Sequence, residues 1–209
     1  MVTNFDAQVA GDTQRDAIIA FVISVVAIMA YIWVRFGNLK YGTATAVALL
    51  HDTLFTIAAL GFAHYLADVS LFRHVFQIEP FRINLTVVAG ILTIMGYSMI
   101  DTIVVFDRIR ENRGKYGHVS RQVINDAINQ TLSRTLLTAG TTTITVAIMY
   151  FLGGPGIHGF TFVLLIGILV GTYSSVAIAA PILLIGNEKA AAEAEGQPAG
   201  RQRLQRTGA

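Results

Sequence analysis

The sequence contains no cysteine, only four prolines and few charged residues. The absence of cysteine excludes disulfide bonds and thiolate metal sites. Asp, Glu, Lys and Arg make up 13% of the 209 residues, whereas a soluble globular domain carries about 25%. The deficit is concentrated in several long stretches that contain almost no charge, and the mean hydropathy is +0.59. These features indicate a protein that resides in a lipid bilayer.

Long apolar stretches recur along the chain. A helix that crosses the hydrocarbon core needs about 20 apolar residues. Five stretches reach this length: residues 17–34, 43–66, 83–106, 132–152 and 160–185. The sequence therefore predicts an all-α, polytopic membrane protein with about five transmembrane helices.

The remaining segments predict the domain organisation. We expect residues 1–16 to be an external segment leading into a transmembrane bundle over residues 17–185. The polar residues 186–209 are typical of a disordered cytoplasmic tail. Apolar positions within residues 119–131 have the spacing of an amphipathic interfacial helix, and residues 153–159 (GGPGIHG) predict a turn.

The connection at residues 67–82 contains three phenylalanines, Phe72, Phe76 and Phe81. They favour either a short amphipathic helix at the membrane surface or a contact with a partner.

The distribution of Lys and Arg predicts the orientation. Eleven lie in segments on one side of the predicted spans and three on the other, with Arg134 at a span boundary. Because cytoplasmic segments are enriched in Lys and Arg, the 107–121 segment and the C-terminus are predicted to be cytoplasmic. The N-terminus is then external. Export of such an N-terminus needs an earlier span, so we expect this chain to be the later part of a longer polypeptide.

Four residues lie at depths where a charge is expensive: His51, Asp52, Asp101 and Arg134. A charged side chain at the bilayer centre costs at least about 2.5–3.5 kcal/mol, so such residues usually face other helices and have a partner. One interpretation is a pathway for protons or sodium ions. The other is a buried polar clamp that holds helices together.

The depths of Asp101 and Arg134 predict an ion pair near the cytoplasmic side. Asp107 lies nearer the water and competes for Arg134. If the pair forms and breaks, Asp101 would be ionised beside Arg134 and protonated when Arg134 withdraws, because burial disfavours an unpaired charge. Such alternation would couple proton movement to a conformational change.

The fourth span carries a stripe of hydroxyl groups on one helical face. Its members recur three or four residues apart: Thr131, Thr135, Thr138, Thr142 and Thr145. They favour either a polar lining that supports the ion pair or ordinary helix packing. Gly167, Gly171 and Ser175 form a small-residue ridge on the fifth span, which predicts close packing against another helix.

Several segments resemble the SecF family of protein-export membrane proteins. The residues that carry the resemblance are GYSMIDTIVVFDRIREN (96–112), LLHD (49–52), INQTLSRTLLTAGTT (128–142), GGPGIHGF (153–160) and VAGDTQRDAI (9–18). They occur in the family's order and cover about residues 5–185. The first is the most specific, although Ile100 stands where the family motif has Asn.

The resemblance implies the resistance-nodulation-division superfamily fold, with helices two to six of a SecF half. It implies a SecD half as partner, separate or fused, in the bacterial cytoplasmic membrane. It also implies use of the proton-motive force to export unfolded polypeptides through the SecYEG channel. Asp101 and Arg134 match the residues implicated in proton flow. Supporting roles are expected for His51, Asp52, Ser98, Thr138 and Thr142, and the cytoplasmic signature loop contributes Asp107, Arg108, Arg110 and Glu111.

Other functions remain open from the sequence. A related transporter for lipids or drugs would share the buried acid, and an assembly subunit would use the charges as clamps. An enzyme is not expected, because GxSxG and HExxH motifs are absent. No catalytic residue, metal site or cofactor is predicted. The net charge of +2 reflects membrane orientation, so no nucleic-acid partner is expected.

Overall fold

The computed structural model describes residues 2–78, 80–81, 83–116 and 119–185, and the regular elements within these ranges are all helical. The helices are α1 (Val2–Phe36), α2 (Leu39–Leu66), α3 (Ser70–Val75), α4 (Leu85–Tyr116), α5 (Arg121–Leu152), α6 (His158–Ser174) and α7 (Ala180–Ile182). A π-helical segment, Ser175–Ala179, joins α6 to α7.

Five stretches of helix are long and apolar enough to cross a membrane. They are Arg15–Phe36, Leu39–Leu66, Leu85–Gly114, Arg121–Leu152 and His158–Ile182. The prediction of an all-α, multi-pass membrane protein with five spans is therefore confirmed.

Two predicted boundaries are wrong. Residues 107–116 do not form a loop, because α4 continues to Tyr116. Ion pairs one turn apart, between Arg110 and Asp107 and between Arg108 and Glu111, accompany this extension and stabilise helical backbone in water. The amphipathic segment and the fourth span are also one uninterrupted helix, α5, and Ser120 caps its first turn by accepting from the Val123 backbone N–H.

Residues 2–16 belong to α1, so the external segment expected before the first span is helical and continuous with it. The tail predicted over residues 186–209 lies outside the described residues.

The α1–α2 connection lies at the same end of the bundle as Asp107, which contacts Arg35, and this end is here called the charged end. Gly37 has φ +66, a left-handed conformation that glycine adopts without a steric penalty. Asn38 then caps α2, because its side chain accepts from the Lys40 backbone N–H. Phe36, Tyr41 and Phe106 form the aromatic core there, with Phe36 and Tyr41 stacked at 5.0 Å between centroids.

Glycines on α6 allow that helix to lie against α4. A Cβ added at Gly167 would overlap the Ile94 side chain, and one at Gly171 would lie 3.0 Å from Ser98 Cβ. Small residues permit such close approach in membranes, so the predicted packing role of these two glycines is confirmed. The π-helical segment precedes Pro181, which lacks the N–H needed to continue an α-helical ladder.

The predicted short helix in the 67–82 connection is present as α3. Phe81 does not lie on a free surface, because it stacks on Phe162 at 4.6 Å between ring centroids and also contacts His158. Phe76 is exposed, and the side chain of Phe72 lies outside the described part of the chain.

Candidate functional site

Asp101 lies midway along α4, inside the predicted membrane span, and is 6% exposed. Its Oδ2 atom has no hydrogen-bond partner among the described residues. Buried polar atoms are nearly always paired, and each exception calls for an explanation. Asp101 is therefore a buried acid with an unoccupied acceptor atom.

Arg134 lies on α5 with an exposed side chain. It interacts electrostatically with Asp101 across the α4–α5 interface. However, none of the ion pairs within 4.0 Å among the described residues joins these two side chains. The predicted direct ion pair is therefore not formed in this structure. Asp107 does not compete for Arg134 either, because it binds Arg35 at 3.5 Å and Arg110 at 3.1 Å.

Most threonine hydroxyls of α5 donate hydrogen bonds to backbone carbonyls of the same helix. Thr138 Oγ1 donates to the Arg134 carbonyl at 3.0 Å, and Thr142 Oγ1 donates to the Thr138 carbonyl at 2.8 Å. Thr135 differs, because its buried Oγ1 has no hydrogen-bond partner in the described part of the chain. Thr135 thus resembles Asp101 in placing an unpaired oxygen inside the bundle.

Asp52 is bonded by side chains from three helices. Its Oδ2 accepts from Ser98 Oγ of α4 at 2.7 Å and from Ser174 Oγ of α6 at 2.8 Å. Its Oδ1 lies 3.1 Å from His51 Nδ1. The structure thus brings His51, Asp52 and Ser98 together, as a cluster that also includes Ser174.

Two members of these groups are not predicted from the sequence. Ser174 lies in an apolar span, and only its depth relative to Asp52 could indicate a contact. Thr135 belongs to the predicted hydroxyl stripe, but the stripe does not distinguish it from its self-bonded neighbours.

The signature residues at the charged end form a network on the surface of α4. Arg108 Nη1 donates to Glu111 Oε2 at 2.7 Å, and the Arg110 guanidinium lies over the Phe36 ring. Asp107 connects α4 to Arg35 of α1. In this arrangement the four residues stabilise α4 and pack it against α1.

A second polar cluster holds the opposite end of the bundle and is not predicted from the sequence. Both ring nitrogens of His158 contact backbone carbonyls, Nε2 that of Gln77 at 2.8 Å and Nδ1 that of Tyr150 at 3.1 Å. The Tyr150 hydroxyl donates to the Phe76 carbonyl at 2.8 Å. Gln77 has φ +51, so these contacts hold the 76–81 connection in a conformation that few non-glycine residues adopt.

The described residues contain no group of three or more His, Cys, Asp or Glu side chains that could hold a metal ion. The site therefore offers isolated acids, a histidine, an arginine and hydroxyl groups. These groups can bind protons or water but do not form a typical transition-metal site.

Comparison with known proteins identifies the family of this chain. The family model described as protein export membrane protein SecD/SecF, C-terminal, matches residues 2–189. The protein translocase subunit SecF of Desulfurispirillum indicum is 43% identical over 181 residues, covering 85% of this chain and 52% of that protein. The SecF subunit of Koribacter versatilis is 44% identical over 182 residues, covering 87% and 41%. The chain thus spans about half the length of the curated relatives that it matches.

Two crystal structures of SecDF share the fold. One, in a super-membrane-facing form, has a TM-score of 0.67 and 33% identity, covering 88% of this chain and 23% of that one. The other, from Thermus thermophilus, has a TM-score of 0.68 and 31% identity, covering 84% and 22%. The resemblance found in the sequence is confirmed: this chain belongs to the SecD/SecF family of protein export membrane proteins, of which it contains the C-terminal membrane domain.

Proposed function

We propose that this chain is the membrane half of a SecF subunit. It acts with a SecD half to couple the proton-motive force to export of unfolded polypeptides through the SecYEG channel, in the bacterial cytoplasmic membrane. The relatives named SecF and the SecDF structures support the assignment to protein export. The specific observation that supports proton coupling is the unpaired Oδ2 of Asp101.

Asp101 has the properties required of a proton carrier. It lies inside a span and is almost fully buried, and one carboxylate oxygen has no donor among the described residues. Leaving a buried acceptor unsatisfied costs about 1–3 kcal/mol, more when it is charged. Binding a proton removes the charge and supplies a hydroxyl that can donate. Asp101 is thus unsatisfied in the charged state and better matched to its surroundings in the neutral one.

Arg134 supports this role by its position. It interacts with Asp101 electrostatically without a direct contact, so a small movement of α5 against α4 changes their interaction. Coulomb energies vary steeply with distance in a medium of low dielectric constant. Helix movement and proton occupancy of Asp101 are then linked, and each biases the other.

The exposed side of α5 supports the presence of a partner half. Arg134, Thr138, Thr141 and Thr145 are all exposed on this helix. A charged side chain facing lipid at this depth is costly, so a second protein surface is the more favourable neighbour. We infer that the SecD half covers this face of α5.

An assembly subunit without transport remains the second candidate, because Asp52 binds three helices as a structural clamp would. A stimulation assay separates the two functions. Membrane vesicles containing the full SecF protein, SecD and the channel are tested for export with and without a proton-motive force. Stimulation should be lost in Asp101→Asn and retained in Asp107→Asn, a control acid on the same helix. Full stimulation of export in Asp101→Asn vesicles would favour the assembly role.

A further inference from the structure

Both oxygens of the Asp52 carboxylate have hydrogen-bond partners. Asp52 is 1% exposed, and Ser98 and Ser174 both donate to Oδ2 while His51 Nδ1 contacts Oδ1. Several donors around a buried carboxylate favour its charged form. Both oxygens of Asp52 are therefore paired, whereas Oδ2 of Asp101 has no partner among the described residues.

The contact with Asp52 orients the ring of His51. A carboxylate accepts hydrogen bonds, so the hydrogen between the two groups is assigned to His51 Nδ1. In a neutral imidazole the other nitrogen, Nε2, then has a free lone pair. Among the residues that the structure describes, Nε2 has no hydrogen-bond partner, and the His51 side chain is 35% exposed whereas that of Asp52 is 2% exposed. A carboxylate that orients a histidine in this way also stabilises its imidazolium form.

We propose that Nε2 of His51 is a second proton-binding site of the membrane domain. It is distinct from Asp101, and the contact between Asp52 and Nδ1 orients its ring. The proton comes from a hydronium ion, whose O–H bond breaks to leave water, and it forms an N–H bond with the Nε2 lone pair. The product is an imidazolium–carboxylate pair with no net charge, which lies in the membrane at lower cost than an isolated carboxylate.

The contacts favour a proton over a sodium ion as the ligand. The two serine oxygens lie within hydrogen-bond distance of the same carboxylate oxygen, at 2.7 and 2.8 Å. Oxygens that bond each other directly leave no gap for a metal ion between them. The open position is a nitrogen lone pair at the edge of the cluster, which binds a proton.

Among the described residues, Asp52 is the charged group in contact with His51. The helices packed against α2 carry further charged and titratable groups. On α1 they include Arg15, Asp16, Tyr31 and Arg35; on α4, Tyr97, Asp101, Asp107, Arg108, Arg110, Glu111 and Arg113; and on α6, His158 and Tyr173. Arg134 lies on α5, which packs against α4. Of these, Asp101 is tied most closely to the cluster, since it lies three residues after Ser98 on the same helix.

This position links the two proton sites. Ser98 connects Asp52 to α4, so the charge state of the His51–Asp52 pair acts on the helix that carries Asp101. A consequence for export rests on the proposed function; proton binding by His51 does not.

Nitrogen-15 magnetic resonance of histidine tests proton binding directly. The full protein with its partner half is labelled at histidine, placed in lipid bilayers and titrated with acid. The His51 signal, assigned by its loss in His51→Gln, should change from a neutral Nδ1-protonated ring to an imidazolium. In Asp52→Asn the change should require more acidic conditions, because the carboxylate that contacts Nδ1 is removed.

His64→Gln is the matched control, since His64 lies on the same helix and is exposed. It should leave the His51 transition unchanged. A His51 ring that stays neutral, or that is protonated on Nε2 and bare at Nδ1, would overturn the proposal. The wild-type spectrum decides this even where Asp52→Asn fails to fold. Loss of export in Asp101→Asn with a normal His51 transition would leave the proposed function intact and the two sites separate.

Discussion

Gly167 of α6 lies so close to Ile94 of α4 that a Cβ at position 167 would overlap the Ile94 side chain. Ile94 is 3% exposed and belongs to the apolar core of this half of the bundle. Without a hydrophobic driving force between helices in lipid, such close packing is a main source of association. The contact therefore fixes how α4, and with it Asp101, lies against α6.

Substitution of Gly167 by Ala should destabilise the bundle. Inserting a methyl group into a packed contact typically costs about 1–3 kcal/mol, and we expect thermal unfolding of the detergent-solubilised protein at a lower temperature. Gly96→Ala is the control on α4, because a Cβ there meets nothing within 4 Å. If both variants unfold at the wild-type temperature, the α4–α6 contact has room for a methyl group at position 167, contrary to this structure.

Asp107 should contribute little to the stability of the bundle, and this contribution should depend on salt. Its contact with Arg35 joins α4 to α1, but the two side chains are 49% and 44% exposed. Exposed ion pairs contribute about 0–1 kcal/mol and are screened by salt. Asp107→Asn should lower the unfolding temperature slightly at low ionic strength and leave it unchanged at high ionic strength.

Glu111→Gln gives the comparison for Asp107, since among the described residues Glu111 forms its ion pair within α4, with Arg108. Its effect should be smaller still, because no second helix is involved. A large, salt-independent loss of stability in Asp107→Asn would show that this acid has a buried role.

Loss of the Tyr150 hydroxyl should loosen the backbone locally, at the end of the bundle opposite the charged end. Tyr150→Phe removes the donor to the Phe76 and Gln77 carbonyls, a loss of about 0.5–1.5 kcal/mol for a typical hydrogen bond. Amide hydrogen exchange should accelerate in residues 76–81 and remain unchanged in α2. Tyr173→Phe, which removes an exposed hydroxyl, should alter neither region, and equal exchange in all three proteins would disprove this role of Tyr150.

The sequence predicts the spans well, because apolar length is a local property. For the same reason, it places Asp52 and Asp101 within spans. It does not predict that α4 continues to Tyr116. A run of charged residues after an apolar span is typical of a loop, and the ion pairs one turn apart that accompany the helix are seen only in the structure.

Contacts between helices are harder to predict than depth. The spacing of residues along one helix does not show that Ser98 and Ser174 meet on the same oxygen of Asp52. Depth likewise favours an Asp101–Arg134 ion pair that the structure does not form, because Arg134 points to the exposed side of α5. Helix rotation, which decides such contacts, depends on packing such as that between Gly167 and Ile94.

The role of Asp101 as a proton carrier is tested most directly by measuring proton movement during export. Vesicles that contain the full SecF protein, SecD and the channel are loaded with a pH-sensitive dye and followed while a polypeptide is exported. We expect export-linked proton movement in the wild-type protein and in Asp107→Asn, and none in Asp101→Asn. Proton movement at the wild-type rate in Asp101→Asn would show that the unpaired buried acid does not carry the proton.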